Sequence, residues 1–370
     1  AELSTSGRDA RFGPERGARP DSHGGRRARW SMRSAQSDST VLLVDDPLLS
    51  GPLANLATRQ FGLLTQEQLR EHGVTRAVTR HRVRVGRWRS PTRNLVDVGR
   101  CQPRELPPVQ RSERTAILGL LAFGPDAIAV GLSALSLYGV WGVPLGTPPQ
   151  VVVPDANSRR QRNDLGVRRF APGDDIRLLN GWRAMPIKQA LAQAVCEVGP
   201  RIALGLLDSA RHRALISHSE LDEVRKMTQG RRGSRCLAPI WDLVDSRRES
   251  PLESWAYYDL WAAGLEPTAI QVTFSDRSGI GVARADIGFQ LDDGSWHLIE
   301  LDGRDFHPVG QRPREVERDN EVALAASSRG GRATTVRYRN HHLGPSGSMV
   351  RDTAALLRGR TWRKPTSQAA

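Results

Sequence analysis

Glu300 and Asp302 stand two residues apart in an apolar run, and Asp286 lies in the run before it, across the turn Asp292-Asp293-Gly294-Ser295. In a strand, residues i and i+2 face the same side, so Glu300 and Asp302 share a face. If the two runs pair around Asp293-Gly294, Asp286 approaches Glu300. Glu253, on a predicted helix just upstream, leans toward the same end, although it could equally cap that helix or pair with Arg247 or Arg248. Several carboxylates converging at a sheet end repel one another unless a cation sits among them. Oxygen-only donors select Mg²⁺ or Mn²⁺, which are the expected cofactors.

A second constellation is basic. The predicted helix 75–85, with Thr75 as its N-cap, carries Arg76, Arg80, Arg82 and Arg84, and Arg87, Arg89 and Arg93 come after it. Arg76 and Arg80 are one helical turn apart and share a face. Long donors near the start of a helix match the two acceptors that guanine presents in the major groove. Arginines beyond the helix suit phosphates, which set register. The chain has 54 Lys and Arg against 40 Asp and Glu, a formal charge of +14, so a polyanion is the expected partner. The alternative is a solvated basic face in an arginine-rich protein. With double-stranded DNA as partner, the reaction expected of a metal-binding carboxylate set is phosphodiester hydrolysis.

The elements that must position these groups can be read from local signals. At 370 residues the chain suits several domains, and 38% hydrophobic content is low enough to imply some disorder. Residues 1–45 read as a disordered basic tail. Residues 46–105 read as a winged helix-turn-helix: a helix over 53–60, a capping box at Thr65–Gln68, a helix closed by Gly73, the arginine helix ended by Gly86, then a short strand pair. Residues 106–240 read as a middle α/β domain. Residues 241–360 read as an α-β-β-β-α-β domain: helix 251–263, strands 270–274, 282–289 and 296–301, helix 312–327, and strand 334–338. A final strand-helix-strand crossover makes a parallel pair. Residues 361–370 are a tail. The fold class expected is therefore α+β multidomain.

Several classes are excluded or unsupported. Cys101, Cys196 and Cys236 form no CxxC pair, so neither a zinc finger nor a disulfide framework is supported, and a reducing cytoplasm fits. No apolar run reaches membrane-spanning length, and no apolar signal-peptide core is found at the start; a cytoplasmic location without membrane contact is the expectation. There is no Walker loop, dinucleotide fingerprint or GxSxG elbow.

The segments Leu64-Thr65-Gln66-Glu67-Gln68-Leu69, Gly73-Val74-Thr75-Arg76 and Val85-Gly86-Arg87-Trp88 resemble the N-terminal winged-helix domain of AbiEi-type antitoxins, and Val151-Val152-Val153-Pro154 is similar to the region C-terminal to that domain in the same proteins. That resemblance implies DNA binding, often with autoregulation. The segments Pro251-Leu252-Glu253, Gln271-Val272, Ala285-Asp286-Ile287-Gly288-Phe289, Ile299-Glu300-Leu301-Asp302-Gly303 and Val336-Arg337-Tyr338 resemble the PD-(D/E)xK nuclease superfamily, and within it the Vsr-like domains related to very short patch repair endonucleases. By that resemblance Asp286 and Glu300 are metal ligands, Glu253 is a helix carboxylate near the site, and Asp302 and His307 stand where a catalytic lysine or histidine pair would. The lysine itself is absent, and His307 is the expected substitute proton donor or water-orienting group. Two functions from different classes are open: a metal-dependent DNA endonuclease delivered by a winged helix, or a regulator or antitoxin-like protein whose nuclease-type domain is inactive, with a toxin partner or self-association.

Overall fold

In the computed structural model, the residues described are 43–153, 165–168, 170, 173, 175–275, 281–303 and 332–365. Residues 1–42 of the tail expected over 1–45, the turn at Asp276–Gly279, His307 and the helix over 312–327 lie outside them; Leu43 and Val44 are described, and they pair with Gly99 and Val98. The described chain is a mixed α+β protein with three sheets, and no described helix is long and apolar enough to cross a membrane.

The N-terminal part runs α1 (Gly51–Arg59), β1 (Leu63–Thr65), α2 (Gln66–Glu71), α3 (Arg76–Arg84), β2 (Arg89–Thr92) and β3 (Leu95–Asp97). Thr65 caps α2 by accepting from Gln68 N–H while Gln68 reaches back to Thr65 N–H, the reciprocal pair read from the sequence. Thr75 caps α3. The three strands form a sheet in the order β1-β3-β2. Both faces of it are covered, which is why β3 is buried throughout. Leu64 and Val96 pack with Leu53, Leu69 and Trp88 on the helix side. Leu63 and Leu95, one residue out of phase, join the core of the next region.

That next region begins with α4 (Pro108–Phe123) and continues through β4 (Ile128–Ala129), α5 (Gly131–Leu137), β5 (Gln150–Val152), β6 (Gly166–Arg168), β7 (Arg177–Leu179) and β8 (Trp182–Ala184). The strands make a five-stranded sheet, β6-β5-β4-β8-β7. Helices α6 (Ile187–Glu197), α7 (Pro200–His212) and α8 (His218–Thr228) pack beside it, succeeded by a 3₁₀ segment, Ser234–Leu243. Arg114 of α4 ties this region to the first one: it pairs with Asp97 at 2.8 Å and donates to the Phe61 carbonyl at 3.2 Å.

The last region is α9 (Pro251–Ala262), β9 (Ala269–Ser275), β10 (Gly281–Gln290), β11 (Trp296–Leu301), β12 (Ala333–Tyr338) and α10 (Met349–Leu356). The sheet order is β12-β11-β10-β9, antiparallel except for the parallel pair β11/β12. Helix α9 carries large apolar residues on more than one face because it is covered on two sides. Leu252, Ala256 and Leu260 meet Ile287, Phe289 and Ile299 of the sheet. On the other side it packs against α7, where a Cβ on Gly205 would stand 2.7 Å from Trp255 Nε1; glycine there lets the indole lie against the α7 backbone. Buried charges cross the same seam. Arg248 donates to Asp208 at 2.6 and 3.1 Å, and Arg201 donates to Asp259 at 2.8 Å.

Candidate functional site

The carboxylates meet where the last sheet is irregular. The β10/β11 ladder stops at Ile287↔Ile299, so the strands part at Asp286 and Glu300. The Asp286 carboxylate bridges the gap by accepting Leu301 N–H at 2.8 Å. On the other side of β10, the β9 ladder holds at Val272↔Ala285 and Ile270↔Ile287 but not at the pair between them, Gln271 and Asp286. Gln271 has φ +53°, a left-handed conformation inside a strand. In the parallel pair, Glu300 is in register with Arg337, whose Nε donates to Glu300 Oε2 at 2.9 Å. Gln271, Asp286, Glu300 and Arg337 therefore form one row across the four strands.

Glu253 enters this row from α9. It is buried, and three donors hold it: Ser250 Oγ–H to Oε1 at 2.8 Å, Glu249 N–H to Oε2 at 2.9 Å, and Gln271 Nε2 to Oε2 at 2.6 Å. Glu253 thus acts in two ways at once, because it completes the helix cap with Ser250 and also faces the row. Burial pushes its carboxyl above the ordinary range. Asp286 is pushed up to about 7, first by burial, then by the charge of Glu253; Leu301 N–H pulls the other way, and Glu300 raises it further. Glu300 is buried, and its Oε1 has no hydrogen-bond partner. Asp302 is half-buried at the end of the strand, where its N–H donates to the Tyr338 carbonyl at 2.9 Å. Among the described residues no three His, Cys, Asp or Glu side chains are gathered closely enough to hold a metal ion by themselves.

Gln271 and Arg337 carry no role that the sequence alone assigns. Arg337 is within reach of register counting, since a parallel β11/β12 pair puts it beside Glu300. The left-handed backbone of Gln271 has no sequence signal, for glycine or asparagine is the usual occupant of that conformation.

The arginine set divides in two. Arg82 pairs with the buried Asp46 at 2.9 Å, and Arg89 donates to Asp97 at 3.0 Å and to the carbonyls of Gly99 and Cys101 at 2.6 and 3.0 Å. These two are half-buried and tied into the fold by those partners, unlike the rest of the set. Thr75, Arg76, Arg80, Arg84, Arg87 and Arg93 are exposed. Arg76 Nη2 reaches Asn94 Oδ1 at 3.4 Å, so the start of α3 and the β2–β3 turn, with Arg93 beside it, lie on one side. The exposed Val78 adds an apolar group to α3.

No protein-family model and no curated protein matches this chain.

Proposed function

We propose that this protein binds duplex DNA through an N-terminal winged helix and hydrolyses phosphodiester bonds at a divalent-metal site in a PD-(D/E)xK-type C-terminal sheet. The observation that carries the reading is the row itself: the half-buried Asp286 and the buried Glu300 stand side by side in register at a break in the ladder, with Glu253 near enough for its charge to raise the Asp286 carboxyl. Burying like charges costs stability, and a cation relieves that cost. The donor chemistry fits Mg²⁺ or Mn²⁺, since Asp286 and the unpartnered Glu300 Oε1 are hard oxygen donors. When bound, such an ion lowers the pKa of a water and stabilises charge on the phosphate. Arg337 fixes the Glu300 carboxylate through Oε2 and leaves Oε1 for the metal. Leu301 N–H orients Asp286 in the same way. Arg76 and Arg80 enter the major groove from α3, and Arg84, Arg87 and Arg93 take phosphates.

A second reading is favoured by one feature: Asp302 stands where the superfamily carries lysine, and a nuclease fold outlives its activity. In that reading the protein is a DNA-binding regulator or antitoxin-like protein, with a toxin or a second copy as partner. Supercoiled plasmid incubated with Mg²⁺ or Mn²⁺ separates the two. Nicking that requires metal and is lost in Asp286→Ala and Glu300→Ala supports the nuclease. Duplex binding without nicking, unchanged by either substitution, supports the regulator.

A further inference from the structure

Gln271 is the member of the row whose geometry a site made of Asp286 and Glu300 alone leaves unexplained. It occupies a left-handed conformation in mid-strand and interrupts the ladder opposite Asp286, while the pairs on either side hold. A non-glycine residue persists there only when its surroundings compensate. Its Nε2 donates to Glu253 Oε2 at 2.6 Å. Since a carboxylate oxygen accepts and the amide nitrogen donates, this bond fixes which end of the amide points where. The other end, Oε1, is buried with no hydrogen-bond partner. Glu300 Oε1, in the same row, is likewise buried and unpartnered, in a residue only 7% exposed. Two such oxygens in one row are costly to leave unsatisfied. An amide carbonyl is an ordinary ligand of hard divalent cations, and it brings a dipole to the row without a further negative charge.

We propose that Gln271 Oε1 is a neutral ligand of the divalent cation held by Asp286 and Glu300. The inference rests on the metal-site reading above and adds a ligand to it.

The test titrates the full-length chain with Mn²⁺ alone at about pH 7.5 and follows free Mn²⁺ by electron paramagnetic resonance. It compares wild type, Asp286→Asn, Gln271→Leu and Gln271→Glu, each checked for folding by circular dichroism. The expected result is binding by wild type, loss in Asp286→Asn, and about tenfold weaker binding in Gln271→Leu. Gln271→Glu keeps an oxygen donor but loses the bond to Glu253; it is expected to bind as tightly as wild type or tighter, with a lower melting temperature when Mn²⁺ is absent. Gln271→Glu weakened as much as Gln271→Leu would show that only the bond to Glu253 matters and would overturn the ligand role. Gln271→Leu binding like wild type while Asp286→Asn fails overturns the Gln271 inference and leaves the Asp286–Glu300 site intact. No Mn²⁺ uptake by wild type overturns both. If Gln271→Leu does not fold, Gln271→Met, which likewise has no oxygen donor, takes its place with the same two outcomes.

Discussion

The seam between α7 and α9 and the row across β9–β12 both bury carboxylates, but in opposite ways. At the seam, Asp208 is matched by the two donors of Arg248, and the Asp245 N–H adds a third at 2.8 Å. The Arg248 guanidinium also lies 4.6 Å over the Tyr257 ring, so its own enclosure is compensated. In the row, Asp286 meets one backbone N–H and the charges of Glu253 and Glu300, opposed only by the more distant charge of Arg284, while Arg337 is taken up by Glu300. Burial raises the Asp208 carboxyl too, but the Arg248 charge and hydrogen bonds oppose it directly, so the first arrangement is complete as a scaffold. The second lacks a matched partner for Asp286, and under the proposed metal-site reading an added cation would supply it.

The contrast predicts effects of opposite sign. Asp208→Ala leaves the Arg248 charge buried and unmatched and is expected to cost about 3–5 kcal/mol, read from the urea midpoint. Asp286→Asn is expected to stabilise. The Asp286 carboxyl is raised from 3.8 to about 7 in the folded protein, so the folded state binds the extra proton between those values. Wild-type stability therefore falls as pH rises from about 4 to about 7, relative to Asp286→Asn, and the difference is constant above that window. Three pKa units set a ceiling of about 4 kcal/mol. Melting temperatures of the two proteins should converge near pH ~4 and separate by pH ~8, with the variant higher. Convergence at every pH would mean that the row bears no strain.

The exposed arginines of α3 provide the weaker, screened counterpart of these buried charges. Arg76→Ala with Arg80→Ala is expected to lower duplex affinity about tenfold at moderate salt and to reduce the slope of log K against log[salt] by about 2 if both contact phosphate, or by less where they read bases. Fluorescence anisotropy across a salt series measures it. The same double substitution should leave the urea midpoint almost unchanged, because neither side chain is buried.

The parts legible in the sequence are the local ones. The Thr65–Gln68 capping box, the Thr75 cap, the extents of α3 and β11, and the parallel β11/β12 pair arise from short-range chemistry and chain handedness. The proximity of Asp286 and Glu300 is set by alternation and one hairpin turn, whereas Glu253 arrives through the packing of α9 on the sheet. Tertiary facts are hidden from such signals. Helix α9 is expected to open a separate domain, yet it is shared with α7 through Trp255 and Gly205, a contact without sequence periodicity. Arg82 and Arg89 resemble their exposed neighbours in sequence because their partners, Asp46 and Asp97, lie 36 and 8 residues away. The left-handed Gln271 is a backbone state set by its tertiary surroundings rather than by residue preference.

The most direct measurement is plasmid nicking with Mn²⁺ by wild type and Glu300→Gln, with duplex binding recorded on the same samples. Metal-dependent nicking by wild type, lost in Glu300→Gln while duplex affinity stays the same, is the expected result. Equal nicking by both proteins, or none by a wild type that binds duplex and takes up Mn²⁺, would contradict the assignment of the carboxylate row as a phosphodiesterase centre.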